Sequence, residues 1–111
     1  MKNFYEKVFR IVKQIPPGKV TSYGAIASYI GAKGSARMVG WCLHASKYRP
    51  YSIPAHRVVN RNGMLTGKRH FETPDTMQEL LENEGLTIKN DQILNFKENF
   101  WDPFKELKKI Y

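Results

Sequence analysis

The sequence predicts a mostly helical α/β fold, a single winged helix-turn-helix-like domain with a small β wing, and three observations carry this. A chain of 111 residues suits one domain with one real core. Two short helical stretches are joined by a glycine-containing turn between Ile30 and Ala36. An Asn62-Gly63 pair, the strongest short hairpin signal, separates the apolar runs Val58-Val59 and Met64-Leu65.

Taken in order, Phe4, Val8, Ile11, Val12 and Ile15 place one apolar stripe along a first helix. Pro16-Pro17-Gly18 stops it, since proline lacks the required N–H. Thr21 and Ser22 are suited to cap a second helix from Tyr23 to Ile30, with Gly31 at its C-terminus. Ser35 is placed to cap a third, from Ala36 to about Ala45. Lys47 to Ile53 reads as a basic, aromatic loop. His56 to Val59 is expected as a short strand, with Met64-Leu65 returning beside it as the wing. A second basic loop, Thr66 to His70, precedes Thr73-Pro74-Asp75, which opens a helix carrying Met77, Leu80, Leu81 and Glu84 and ending at Gly85. Leu86-Thr87-Ile88 is expected as a strand, and Asn99 to Phe104 as an aromatic tail closing over the core.

The net charge of +8 is unevenly distributed. Residues 1–70 carry thirteen Lys/Arg against one acid, whereas residues 71–111 carry five Lys against nine acids. The first part therefore presents a cationic face, for which nucleic acid is the natural partner and a merely solvated surface the alternative. No apolar run approaches the roughly 18–20 residues of a membrane span. The N-terminus lacks the pattern of a signal peptide, and the single cysteine, Cys42, cannot form an internal disulfide. A cytoplasmic setting and a monomer are expected. His44, His56 and His70 have no metal-ligand spacing with Cys42 or one another, so neither metal nor cofactor is expected.

Two features remain for function. Ala36 and Gly40, four apart, give the third helix a small-side-chain face beside Arg37, able to press into a minor groove only about 6 Å wide. Tight helix packing is the competing explanation. The other is the turn Pro54-Ala55-His56-Arg57, which has the dress of a catalytic turn and a bare methyl where a nucleophile belongs.

Four ordered blocks then bear on the family: Ile15 to Ala27 (IPPGKVTSYGAIA), Ala36 to Gly40 (ARMVG), Pro54 to Val59 (PAHRVV) and Leu80 to Leu86 (LLENEGL). Together they closely resemble the DNA-binding domain of the O6-alkylguanine-DNA alkyltransferases, over residues 4–88, with 89–111 left as the tail. In that family the turn reads Pro-Cys-His-Arg-Val, and its cysteine accepts the alkyl group. Here Ala55 stands at that position, so His56 and Glu84, which match the residues that activate the cysteine, would be vestigial. The chain is therefore similar to the alkyltransferase-like branch, which is thought to bind O6-alkylguanine without repairing it and to flag it for nucleotide excision repair.

The resemblance implies roles residue by residue. Tyr23 would press on the target's 3′ phosphate and promote rotation of the nucleotide, and Arg37 would fill the space left by the flipped base. Ala36, Gly40, Ser46 and Arg57 join them as expected DNA contacts. Tyr23, Pro54, Ala55, Val58, Val59 and Arg69 would form the base pocket. The expected partner is double-stranded DNA carrying O6-alkylguanine, bound through the minor groove. Ser46 replaces an asparagine of the active enzymes, and Gly67 to Phe71 departs from their glycine-rich segment. Two rivals stay open: a winged-helix regulator of undamaged sequence, and an alkyltransferase domain whose cysteine has been replaced.

Overall fold

A computed structural model describes residues 4–46 and 53–107, with side chains through Leu43 and again from Ile53. Helix α1, Phe4–Val12, buries Val8, Phe9, Ile11 and Val12. It ends earlier than the apolar stripe predicts. Ile15 is buried at 1% exposure, but Gln14 and Ile15 donate to the carbonyls of Ile11 and Val12, three residues back. The stripe tightens into a closing turn because Pro16 disfavours the α conformation at the residue before it.

Strand β1, Thr21–Ser22, leads directly into helix α2, Tyr23–Ile30, at the predicted bounds. The Ser22 side chain accepts from the Ala25 N–H at 3.0 Å, and Gly31 closes the helix at φ 91°, a left-handed conformation that glycine adopts without strain. Helix α3, Ala36–Ser46, packs on α2 and α1. The loop expected from Lys47 to Ile53 lies outside the described residues, apart from Ile53.

The β elements differ from expectation in one instructive way. His56 does not begin a strand. Ala55–Arg57 forms a 3-10 turn, and strand β2 is Val58–Val59 alone. It pairs parallel with β1, Thr21 opposite Val58 and Ser22 opposite Val59. The Asn62-Gly63 turn does form, with the Asn60 side chain accepting from the N–H groups of Asn62 and Met64 and Gly63 at φ 78°. Its flanks meet through the Asn60 N–H and the Met64 carbonyl at 3.1 Å but do not extend into a paired wing. Met64 instead bridges to Gln92 in a later hairpin.

Helix α4, Thr76–Asn83, starts after the predicted cap. The Thr73 hydroxyl meets that of Thr76 at 3.0 Å and accepts from the Asp75 N–H, so Thr73-Pro74-Asp75 is a turn leading to the helix. Gly85 ends it at φ 96°. Strands β3, Ile88–Lys89, and β4, Gln92–Ile93, form an antiparallel hairpin. Asn90 and Asp91, at φ 54° and 61°, make its two-residue turn in the left-handed geometry such hairpins favour. The tail forms short helices α5, Phe96–Asn99, and α6, Pro103–Glu106. It docks by reciprocal bonds, Val20 N to Asn99 O and Trp101 N to Val20 O, which seat Trp101 in the core at 5% exposure.

Two apolar clusters meet at the parallel strand pair. One joins α1, α2, α3, Val58 and Trp101; the other joins Val20, Val59, Leu65, Met77, Leu81, Leu86, Ile88 and Ile93. Successive side chains of a strand point to opposite sides, so Val58 and Val59 each anchor one cluster. Tyr23, at the start of α2, directly follows β1 at this seam.

Candidate nucleic-acid interface

A cleft of about 310 Å³ opens between α3 and the loop running from Thr66 to His70. It is lined by Tyr23, Ala36, Arg37, Gly40, Trp41, Thr66, Gly67 and His70. Ala36 and Gly40 line this cleft, and Gly40 also lies against α2: a Cβ there would stand 3.9 Å from the Tyr23 ring, so close helix packing and an open cleft wall share this face.

Tyr23 is held at its far end. A Cβ on Gly67 would lie only 2.7 Å from the phenol oxygen, a distance real Cβ atoms do not adopt, so the hydroxyl rests directly on the glycine backbone. Burial pushes the Tyr23 phenol above its ordinary pKa, partly offset by a hydrogen bond with Thr66. The ring keeps its proton at neutral pH. Arg37 is exposed on the cleft rim and makes no hydrogen bond or ion pair among the described residues. Arg69 is likewise exposed, on the 3-10 turn Lys68–His70. That turn is fastened to the β3–β4 hairpin by Lys68 Nζ to Asp91 Oδ2 at 2.6 Å, while the Leu65 N–H donates to the Asp91 carbonyl at 2.8 Å.

Beneath the 55–57 turn lies a polar clamp. Glu84 accepts from Arg57 Nη2 at 2.7 Å, from Arg57 Nε at 3.1 Å, from His56 Nε2 at 2.8 Å and from the Gly18 N–H at 3.3 Å. Arg57 Nη1 also donates to the Ile15 carbonyl at 2.8 Å. Burial alone would raise the Glu84 carboxyl, but hydrogen bonds from Arg57 and His56, the imidazole charge and the Gly18 N–H outweigh it and hold the pKa at about 2. His56 moves the other way: burial lowers its pKa despite the neighbouring carboxylate. At neutral pH the imidazole is therefore uncharged, with its proton on Nε2 facing Glu84.

These placements bear on three expectations. Arg57 turns inward: its side chain is 14% exposed, and Nε, Nη1 and Nη2 each donate to Glu84 or to the Ile15 carbonyl. Val58 and Val59, fully buried, are core rather than pocket wall. His56 and Glu84 tie the turn to α4 and to the segment after α1. Pro54 and Ala55 are half-buried, on the turn and outside the cleft lining. The Ser46 side chain lies outside the described residues. Trp41, Thr66, Gly67 and His70 are lining residues that residue-by-residue reading missed. Gly67 serves by lacking a Cβ, since its φ of −89° is one any residue adopts, and Trp41 stands next to the buried Cys42 (1% exposed). Among the described residues no cluster of His, Cys, Asp and Glu could hold a metal ion.

Comparison with known proteins agrees with this geometry. Residues 3–86 match the family described as 6-O-methylguanine DNA methyltransferase, DNA binding domain. The chain is 36% identical over 110 residues to alkyltransferase-like protein 1 of Schizosaccharomyces pombe, covering 93% of this chain and 98% of that protein. It is 32% identical over 103 residues to a DNA base-flipping protein of Vibrio parahaemolyticus, covering 93% and 100%. Among solved structures it is similar to one from S. pombe in complex with damaged DNA containing O6-carboxymethylguanine, with a TM-score of 0.72, 36% identity, and coverage of 93% and 100%. It spans only 30% to 39% of the length of several curated methyltransferases that it also matches.

Proposed function

The chain belongs to the family of the 6-O-methylguanine DNA methyltransferase DNA-binding domain, and from that premise we propose that it binds DNA containing O6-alkylguanine through α3, rotates the modified nucleotide out of the duplex and holds it without removing the alkyl group. The observation that carries this is the cleft itself: an exposed Arg37 on its rim, with no ion pair among the described residues, Tyr23 fixed inside it, and no thiol facing it. The chain's single cysteine, Cys42, is buried in the helical cluster.

The physical logic follows from these parts. A small-residue face on α3 approaches the minor groove closely, and the cationic first part of the chain is drawn to the phosphates. Extruding a nucleotide costs a few kcal/mol, less where the base is poorly paired, as an alkylated guanine is. Arg37 fills the vacated space and Tyr23 pushes on the backbone, so damage is selected partly by the ease of extrusion. Acyl or alkyl acceptance by a side chain needs an activated nucleophile, and the methyl of Ala55 offers none to the imidazole of His56. Removal of the lesion then falls to another activity. Nucleotide excision repair is the partner system this reading adopts, with the protein acting as a monomer in the cytoplasm.

The test is a binding comparison between a duplex carrying O6-methylguanine and the same duplex with guanine. Tighter binding to the lesion is expected. Arg37→Ala should abolish most of that preference while weakening binding to the guanine duplex only about threefold, the loss of one phosphate-range cation. Equal affinity of the wild-type protein for both duplexes would contradict lesion recognition.

A further inference from the structure

Trp41 is 56% exposed and Met38 45% exposed, on the same surface of α3 that carries Arg37. Trp41 follows Arg37 by four residues, so the two side chains leave successive turns of one helix face. Both also line the cleft. The indole packs on no other ring among the described residues, whereas Trp101 is seated in the core at 5% exposure. Tryptophan is mostly covered in folded proteins. A large, flat, apolar ring left open beside an arginine that has no ion pair among the described residues, on the helix face that approaches DNA, marks a contact completed by a ligand.

The chemistry of duplex DNA narrows what completes it. The walls of the minor groove are sugars and phosphates, and an intact groove about 6 Å wide does not admit an indole beside an arginine. Base faces become accessible only where a nucleotide has left the stack, and a wedge of apolar side chains then unstacks the neighbouring step. The Ala36–Gly40 face allows α3 to approach closely enough for side chains one turn apart to reach that gap.

We infer that Trp41 is a second DNA-wedging residue, whose indole stacks on the base next to the extruded guanine while Arg37 occupies the vacancy. This rests on the lesion-binding reading above. It assigns to Trp41 a specificity role, because its stacking partner is exposed only when a nucleotide has been flipped.

The two tryptophans make the test direct, since one is open and the other buried. Acrylamide quenching of the free protein should report Trp41. Saturation with an O6-methylguanine duplex should protect it and shift its emission, and the guanine duplex at equal occupancy should protect it much less. Trp41→Ala should weaken binding to the lesion duplex roughly tenfold, in the range of a lost base–aromatic stack, and to the guanine duplex less than threefold. Trp41→Phe should lie between. An indole that stays open to quencher in the saturated lesion complex overturns this assignment, as does an equal loss on both duplexes in Trp41→Ala. In either case a wild-type preference for the lesion leaves the reading of lesion binding intact. A wild-type protein without that preference overturns both.

Discussion

At the scale of single residues, Glu84 is the hub of the polar clamp. Its carboxylate is held at about pKa 2, against 4.5 unperturbed, and joins α4 to His56, Arg57 and Gly18. A depressed carboxyl contributes stability that is complete above its unfolded pKa and disappears as pH falls from about 4.5 towards 2. His56, lowered from 6.5 by burial, adds a loss that begins below that pH, because the unfolded chain takes up the proton more readily. Urea unfolding at a series of pH values should therefore show stability flat above neutrality and falling in two stages under acid. Glu84→Gln should lower stability at pH 7 by roughly 3 kcal/mol, since it leaves the Arg57 charge without its partner, and should remove the lower of the two stages. An unchanged acid profile in that variant would show that the clamp does not stabilise the fold. The identities of these residues were legible in the sequence. Their present work was not: bond geometry alone shows that Arg57 faces inward.

At the scale of elements, what was legible was local. Helix α2 was read at both ends because Ser22 and Gly31 act within a few residues of their positions. The strand pairing was not legible, because β1 and β2 are far apart in the chain and two-residue strands carry no periodicity. The Asn62-Gly63 signal was sound as a turn but not as a full hairpin: the flanks share one backbone bond, Asn60 to Met64, and Met64 bridges to Gln92. The Asn90-Asp91 turn had equally suitable residues between Ile88 and Ile93 and went unread. The cleft follows the same rule. Tyr23, Arg37 and Gly40 sit on neighbouring helices and line one cleft, whereas the Thr66–His70 wall depends on a loop fastened by Asp91. Close approach at that wall makes Gly67 a specific test. Gly67→Ala should displace the Tyr23 hydroxyl and reduce preference for the lesion duplex, with stability lowered by no more than about 1 kcal/mol. Tyr23→Phe removes the clashing oxygen, so the double variant should lose less than the sum of the single losses. Strict additivity in binding measurements would show that the two residues act independently.

Across the whole molecule, charge and shape divide the labour. The cationic first part supplies attraction common to all DNA, and the acidic last part, with α4 and the tail, completes the second cluster and clamps the first. Binding to damaged and undamaged duplexes should both weaken as salt rises, with a log–log slope of roughly −0.9 for each phosphate neutralised. Their ratio should change little, because extrusion and stacking release few ions. A preference that vanishes at high salt would move specificity from the cleft to the charges. The central claim, that the lesion is held and left chemically unchanged, is tested most directly by intact-protein mass spectrometry after saturation with an O6-methylguanine duplex. The account predicts a bound complex from which protein is recovered at its original mass. A gain of about 14 Da, one methyl replacing one hydrogen on an acceptor side chain, would contradict it.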